Sequence, residues 1–426
     1  MMQKINQICM IGMGPVGTVS GLCFAKSGFQ VVGVDINPTR LAAFNAGIAP
    51  FIEPNINELL QQCLADKTFS VTDDANDAIA KSDVIMIAVG TPTPEETGIP
   101  DLSQLDAVAQ TIGEAIKNVE HAPIIIVRST VPPSTMRLRL APIIAQYSGK
   151  QAGVGFNIAS NPEFLREGVA IADFFKTGRV VIGADNAEIA AKIAQLYHQV
   201  DGKIMCVSLE SAEFAKYVDN TWHAVKVAFA NEIARTVTAF GGNPLETAEI
   251  FLSDNQLNIS PYYLRPGFAF GGSCLPKDTR GILALARQYN VDLPLIAGLL
   301  PSNEAHIDSA IKVIMQHFTN SSGTKKIALL GCAFKENVDD LRESPALMVA
   351  SKLLKHGVQV FAHDMAYEVG DELPLPRTAQ TIVITELSEA INHADVIILL
   401  HNLPAYRQII ATSNKPIIDL TTIPKT

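Results

Sequence analysis

The chain has 426 residues, 48% of them hydrophobic and 18% charged, which is ample apolar material for two or three packed domains. Its formal net charge of -10 argues against duplex nucleic acid as a partner, because neutralising phosphates needs clustered Lys and Arg. No uninterrupted run of about 18 apolar residues occurs, so no membrane span is expected.

The start, MMQKINQICMIGMG, runs directly into a strand and a glycine turn, and cleavage of a leader there would destroy the turn. Residues 6–11 read as a short buried strand, followed by a helix near 15–27. Gln30–Val34 is a second strand ending at Asp35, and Val84–Val89 and Ile124–Val127 are further buried strands. Alternating strands and helices imply a parallel, doubly wound sheet. The middle differs. From Leu209 to about Phe240 the chain has helical period without Pro or Gly, which predicts a spine of roughly 48 Å. The glycine-rich stretch Arg265–Cys274 interrupts the helices that follow, and the polar run Thr319–Lys325 reads as a linker. After it the pattern restarts. Ile327–Gly331 echoes Cys9–Gly12, and residues 392–400 echo 81–89, which suggests two related α/β halves about a helical middle. The six cysteines, Cys9, Cys23, Cys63, Cys206, Cys274 and Cys332, are scattered without a CxxC pair. Four or five are expected to be buried packing residues, in a reduced, cytoplasmic chain.

Gly12-Met13-Gly14-Pro15-Val16-Gly17 fits G-x-G-x-x-G after an apolar strand. Gly12 permits the tight turn, Gly14 lets a pyrophosphate approach the backbone, and Gly17 lets helix and strand pack closely. Asp35, at the end of the next strand, would accept from a ribose 2′-hydroxyl and repel a 2′-phosphate, so NAD is expected rather than NADP. Arg40 leaves an opening for NADP, although a solvated helix-start arginine is the plainer reading.

Gly271-Gly272-Ser273-Cys274-Leu275-Pro276-Lys277-Asp278 is the sharpest catalytic segment. Two glycines allow close ligand approach, Lys277 favours a thiolate at Cys274, and Asp278 can orient water. A lone cysteine is more often packing, and these neighbours are what set this one apart. Asn161–Gly168 carries Glu163 and Glu167 four apart. In one helical turn they would share a face and could hold a hydrolytic water, or simply be solvated. Glu213, Lys216 and Asn220 form one polar stripe on the long helix, facing either water or a site, with water the default. Trp222 and His223 are expected to pack. In Phe334–Pro345, Lys335 and Arg342 offer phosphate-binding charge, unless this is an ordinary loop entering a helix capped by Ser344 and Pro345.

Taken together, GMGPVG, VGTPTP (89–94), RSTVPP (128–133), NPEFLREG, KYVDNTWHAVKVAFANE (216–232), FGGSCLPKD (270–278) and FKENVDDLRES (334–344) resemble the UDP-glucose/GDP-mannose dehydrogenase family over nearly the whole chain. The resemblance implies an α/β fold with two Rossmann-like doubly wound domains joined by a helical middle domain with a long spine helix. Its parts would be an NAD-binding domain (1–205), a dimerising helical domain with the cysteine loop (206–318) and a nucleotide-sugar domain (319–426). It implies a four-electron oxidation of a nucleotide-sugar C6 alcohol to the uronate, with NAD as cofactor, Cys274 as thioester-forming nucleophile and no metal.

By the same resemblance, Lys216, Asn220, Asp278, Thr130 and Glu163 fall on positions for oxyanion stabilisation and water handling. Gly12, Gly14, Val16, Gly17, Asp35, Arg40, Thr91, Thr130, Glu167, Lys277 and Arg342 fall on the cofactor side. Phe164, Leu165, Lys216, Asn220, His223, Asn231, Gly271 and Lys335 fall on the substrate side. Leu257–Phe270 and Trp222-His223-Ala224 are similar to the GDP-mannose branch, where Tyr262, Tyr263 and Arg265 would touch the sugar nucleotide, some from the partner of a homodimer with shared sites. UDP-glucose is the alternative substrate. Ser273 argues against the UDP-N-acetylmannosamine branch, which usually has a histidine before the cysteine. Outside this chemistry stand a two-electron Rossmann dehydrogenase with a structural Cys274, and an NAD-binding sensor without turnover.

Overall fold

The computed structural model describes residues 5–94, 99–166, 168–260, 267–272, 274–318, 324–336, 338–376 and 379–421. The chain divides into two compact units, Met1–His223 and Ala224–Thr426.

The first unit holds an eight-stranded sheet: β1 (Gln7–Ile11), β2 (Gln30–Val34), β3 (Phe69–Thr72), β4 (Val84–Ile87), β5 (Ile124–Val127), β6 (Asn157–Ser160), β7 (Arg179–Gly183) and β8 (Lys203–Val207). Their spatial order is β3-β2-β1-β4-β5-β6-β7-β8. All neighbours pair in parallel except β6 and β7, which meet antiparallel at Ser160 and Gly183. The order reverses between β1 and β4, the switch point at which open α/β sheets bind ligands beyond the strands' carboxyl ends. Alternate residues feed two cores. Ile8, Met10, Val84, Met86, Ile124 and Ile126 pack on one face, and Cys9, Ile11, Ile85, Ile87, Ile125 and Val127 on the other. Burial on both faces explains the unbroken apolar runs VIMI and IIIV. β4 ends at Ile87, short of the expected Val89, whose carbonyl instead accepts from Ser129 Oγ at 2.7 Å. The first helix, Pro15–Lys26, starts with proline where no N–H is required, and the chain reverses just past its end at Gly28, with φ +95°.

The long helix Leu209–Ala239 begins in the first unit and ends in the second. In the second unit, β9 (Lys325–Leu330), β10 (Val358–His363), β13 (Val396–Leu399) and β14 (Ile417–Asp419) form a parallel sheet of order β10-β9-β13-β14. β11 (Glu372–Pro374) and β12 (Thr381–Val383) make a separate antiparallel pair. Lys325 belongs to β9 rather than to the linker, and 319–323 lie outside the described residues.

The two halves share more than sequence echoes. Gly12 N–H donates to the Val34 carbonyl and Met13 N–H to Asp35; Gly331 N–H donates to the His363 carbonyl and Cys332 N–H to Asp364. Asp83 accepts from Gln7 N–H as Asp395 accepts from Lys326 N–H. Between turn and helix the halves part. Pro15 starts its helix directly after the turn, whereas Phe334–Ser344 intervene before the helix Pro345–Lys355. Among the described residues no helix is long and apolar enough to cross a membrane.

Candidate active site

The glycine turn meets the geometry that a dinucleotide requires. Gly12 has φ +92°, and a Cβ there would stand 2.9 Å from the Ala88 carbonyl oxygen. A Cβ on Gly17 would lie 1.9 Å from the Gly12 oxygen, so no side chain fits between turn and helix. Gly14 is the opposite case: it is extended, with nothing within 4 Å of where a Cβ would be, which leaves its backbone and the helix N-terminus beside Val16 open to a diphosphate. Asp35 is 6% exposed. Burial works against its charge, but the Asn37 N–H, the Arg40 guanidinium and the Met13 N–H together hold its carboxyl below the usual range. Arg40 lies in the first turn of the helix Pro38–Asn45 as expected and its side chain is 35% exposed, but it is also paired: its Nη1 stands 2.7 Å from Asp35 Oδ2. Thr91 and Thr130 follow β4 and β5 on the binding side, and Thr91 Oγ1 donates to the Thr130 carbonyl at 2.8 Å. These residues fit NAD. Asp35→Asn is expected to raise kcat/KM for NADP relative to NAD on the order of ten-fold, because repulsion of a 2′-phosphate falls while Arg40 remains. Unchanged preference in parallel NAD and NADP titrations would mean that Asp35 does not meet the ribose.

After β6 the chain is irregular through Arg166, so Glu163 does not lie in a helical turn, and Glu167 lies outside the described residues. A buried network holds the segment in this path. Asn161 Oδ1 accepts from Arg128 Nη1 at 2.6 Å and from the Tyr197 hydroxyl, and its Nδ2 donates to the Val181 carbonyl at 2.8 Å. Pro162 further biases Asn161 away from helical backbone. Glu163 Oε2 then accepts from Leu165 N–H at 2.5 Å, and Oε1 lies 3.1 Å from Lys216 Nζ, with both side chains only 11% exposed. The Phe164 ring takes the Arg179 guanidinium at 4.1 Å from its centroid and Lys216 Nζ at 5.7 Å.

Two of the three stripe residues on the long helix, Glu213 and Lys216, are not solvated. Lys216 is buried, and Glu213, 2% exposed, accepts from Ser134 and Met136 N–H at 2.6 and 2.8 Å. Burial pushes the Glu213 carboxyl up, opposed by those two donors. Glu213 thereby ties the segment following Thr130 to the helix that carries Lys216. Asn220 and Asn231 are exposed. Trp222 and His223, expected to pack, are also exposed, with His223 Nε2 4.0 Å from Asp219. Sequence reading missed Glu53. It is 7% exposed and accepts from Gly168 and Ala170 N–H, each at 2.7 Å, anchoring the far end of the Glu163 segment. Glu53-Pro54 in a short loop carries no local signal of that role.

In the second unit the exposed Cys274 precedes the helix Leu275–Gln288. Lys277 Nζ is 2.5 Å from Asp278 Oδ1, both exposed, so these neighbours pair with each other first. The two glycines are required by contact with the 334–345 segment. A Cβ on Gly271 would be 2.3 Å from the Glu343 oxygen, and one on Gly272, with φ +86°, would be 2.8 Å from the Phe334 ring. Lys335 is exposed, with Nζ 5.6 Å from the Phe334 centroid. Arg342 is paired with Asp340 at 2.8 Å. Ser344 and Pro345 do start a capped helix, so the ordinary-loop reading holds for that end. Tyr262, Tyr263, Arg265 and Ser273 lie outside the described residues. Among the described residues no group of three His, Cys, Asp or Glu is placed to hold a metal ion.

A glycine turn at the switch point, opening a helix and pinned on a buried aspartate, defines an NAD-binding protein of the Rossmann type. Family models narrow that class: the NAD-binding domain of the UDP-glucose/GDP-mannose dehydrogenase family matches residues 6–201, its central domain 210–305 and its UDP-binding domain 328–425. The chain belongs to the UDP-glucose/GDP-mannose dehydrogenase family, the NAD-dependent dehydrogenases of nucleotide sugars. It is 38% identical to GDP-mannose 6-dehydrogenase of Pseudomonas putida, with 97% of this chain and 95% of that one covered. It is 34% identical to UDP-glucose 6-dehydrogenase TuaD of Bacillus subtilis, covering 95% and 85%. A solved ternary complex of GDP-mannose dehydrogenase from Pseudomonas aeruginosa matches at a TM-score of 0.91 and 36% identity, over 98% of each chain. UDP-glucose dehydrogenase from Pyrobaculum islandicum matches at 0.57 and 31%, over 98% of this chain and 95% of that one.

Proposed function

We propose that the protein oxidises the C6 alcohol of GDP-mannose to the carboxylate through a thioester on Cys274. The observation that carries this reading is the exposed thiol at a helix start, preceded by two glycines that close packing requires. NAD, when bound at the glycine turn, is the hydride acceptor for both oxidations. The chain supplies the rest. Water beside Lys216 or Asp278 takes the C6 hydroxyl proton. The Cys274 sulfur adds to the resulting aldehyde carbon, forming a thiohemiacetal that cannot escape before the second oxidation. Water held by Glu163 then adds to the thioester carbon, and the C–S bond breaks to release Cys274 and the acid. Lys216 and Asn220 donate to the oxyanion, and a donor of that kind is typically worth roughly 3 kcal/mol. The Glu163–Lys216 pair suits both roles, because a carboxylate acceptor and an ammonium donor stand 3.1 Å apart out of bulk water.

The choice of GDP-mannose rests on the Leu257–Phe270 and Trp222–Ala224 segments and on the names of the more similar relatives. The division into 1–205, 206–318 and 319–426, and a homodimer in which Arg265 serves the partner's site, belong to the same reading. Phe214, Val218, Trp222 and Val227, exposed along the long helix, suit burial against a second copy. A cytoplasmic location fits exposed thiols at Cys206 and Cys274.

NADH yield tests the chemistry with GDP-mannose and UDP-glucose side by side. About two NADH per sugar are expected, at a higher kcat/KM for GDP-mannose, since each hydride removes two electrons. One NADH per sugar would overturn the thioester, none would leave a binding protein, and preference for UDP-glucose would overturn the base assignment alone.

A further inference from the structure

The strip that leads into Cys274 is held by a residue well along the chain. Asn303, on the helix Leu299–Gln316, turns its carboxamide onto the backbone of Phe270. Its Oδ1 accepts from Phe270 N–H at 2.9 Å, and its Nδ2 donates to the Phe270 carbonyl at 2.8 Å. Such a reciprocal pair fixes position and orientation together, as a strand partner does. On the same helix, His306 Nε2 meets the Gly267 carbonyl at 3.0 Å. Beyond Phe270, Gly272 N–H donates to the Arg342 carbonyl at 3.1 Å. Past Cys274, Arg280 reaches Glu343 with two nitrogens, Nη1 at 3.0 Å from Oε2 and Nη2 against Oε1. Gly271 and Gly272 have no side chains with which to set their own path. The groups that hold the backbone on either side therefore bear on where Cys274 stands.

We infer that Asn303 is a positioning residue for Cys274, acting through the Phe270 backbone, with the Arg280–Glu343 bridge as a second anchor. The inference rests on Cys274 being the nucleophile. Displacing a reacting group by about 1 Å costs on the order of a hundred-fold in rate, so a loosened strip is costly even when the thiol is intact.

The test uses the full-length Asn303→Ala protein and two readouts. The first is competitive alkylation with limiting iodoacetamide, quantified by peptide mass spectrometry as the ratio of Cys274 to Cys206. Cys206 is an exposed thiol of the other unit and serves as internal reference. The second is steady-state kinetics. The expected result is a ratio shifted by about three-fold or more, as the surroundings of Cys274 change, with kcat down about ten-fold or more and KM for NAD unchanged. An unshifted ratio overturns the inference, whatever kcat does. A shifted ratio with wild-type kcat upholds the clamp and overturns the nucleophile reading instead. If Asn303→Ala fails to fold, Glu343→Gln carries the same two measurements, because it keeps the side chain's size and removes the charge of the second anchor.

Discussion

Cys274→Ala is expected to lower uronate formation by about a thousand-fold or more, while NAD and nucleotide-sugar binding stay within about two-fold of wild type. On the proposed mechanism the loss is this large, because the sulfur would be the covalent partner of C6 and no other thiol could take its place. Cys9, Cys23, Cys63 and Cys332 are buried. Burial pushes the Cys9 and Cys23 thiols up to about 12, and those of Cys63 and Cys332 upward as well, so none is a thiolate near neutral pH. Cys206 is exposed but stands on β8, and Cys206→Ala is the matched control. Product analysis by NADH yield and calorimetric titration of GDP-mannose check the two halves of the expectation. Two NADH per sugar at a normal rate from Cys274→Ala would rule out a thioester on this residue.

Lys216→Ala should cut kcat on the order of a hundred-fold and leave KM for the nucleotide sugar nearly unchanged, because donation to an oxyanion matters chiefly in the transition state. The structure adds a second consequence. Glu163 would keep the Leu165 N–H but lose its cation, and a carboxylate only 11% exposed is then poorly compensated. Stability should fall by roughly 1–3 kcal/mol, read from the thermal midpoint. Adding Glu163→Gln removes the stranded charge, so the double variant should regain much of that stability and none of the turnover. A KM effect alone in Lys216→Ala would make Lys216 a ground-state contact. Recovery of turnover in the double variant would show that the single change acted only by stranding Glu163.

What could be read from the sequence follows the range of the interactions involved. β1, β2 and β5 and the first helix were legible because buried parallel strands are short apolar runs and because Gly12, Gly14 and Pro15 are local signals. The echo of Cys9–Gly12 in Ile327–Gly331 was legible for the same reason, and the paired aspartates give it a structural basis. The path of Glu163 was not. Spacing four apart suggested a helical turn, but Arg128 and Tyr197, distant in sequence, fix Asn161 otherwise. Glu213 and Lys216 were recognised as a stripe, yet periodicity cannot say whether a polar stripe meets water or a buried loop. Glu53 and Asn303 gave no warning, because their partners lie far along the chain and they bind backbone, which carries no sequence signature.

The shared framework of the two halves has a bearing on how such a chain diversifies. Asp35 and Asp364 clasp equivalent turns, and Asp83 and Asp395 brace equivalent strands. One departure lies between turn and helix, where nothing intervenes in the first half and Phe334–Ser344 intervene in the second. Two modules built on one framework can thus keep their foldability intact while one segment differs in length. The carboxylates that brace the scaffold are insulated from that drift, since they grip main-chain amides that every replacement sequence except proline still provides.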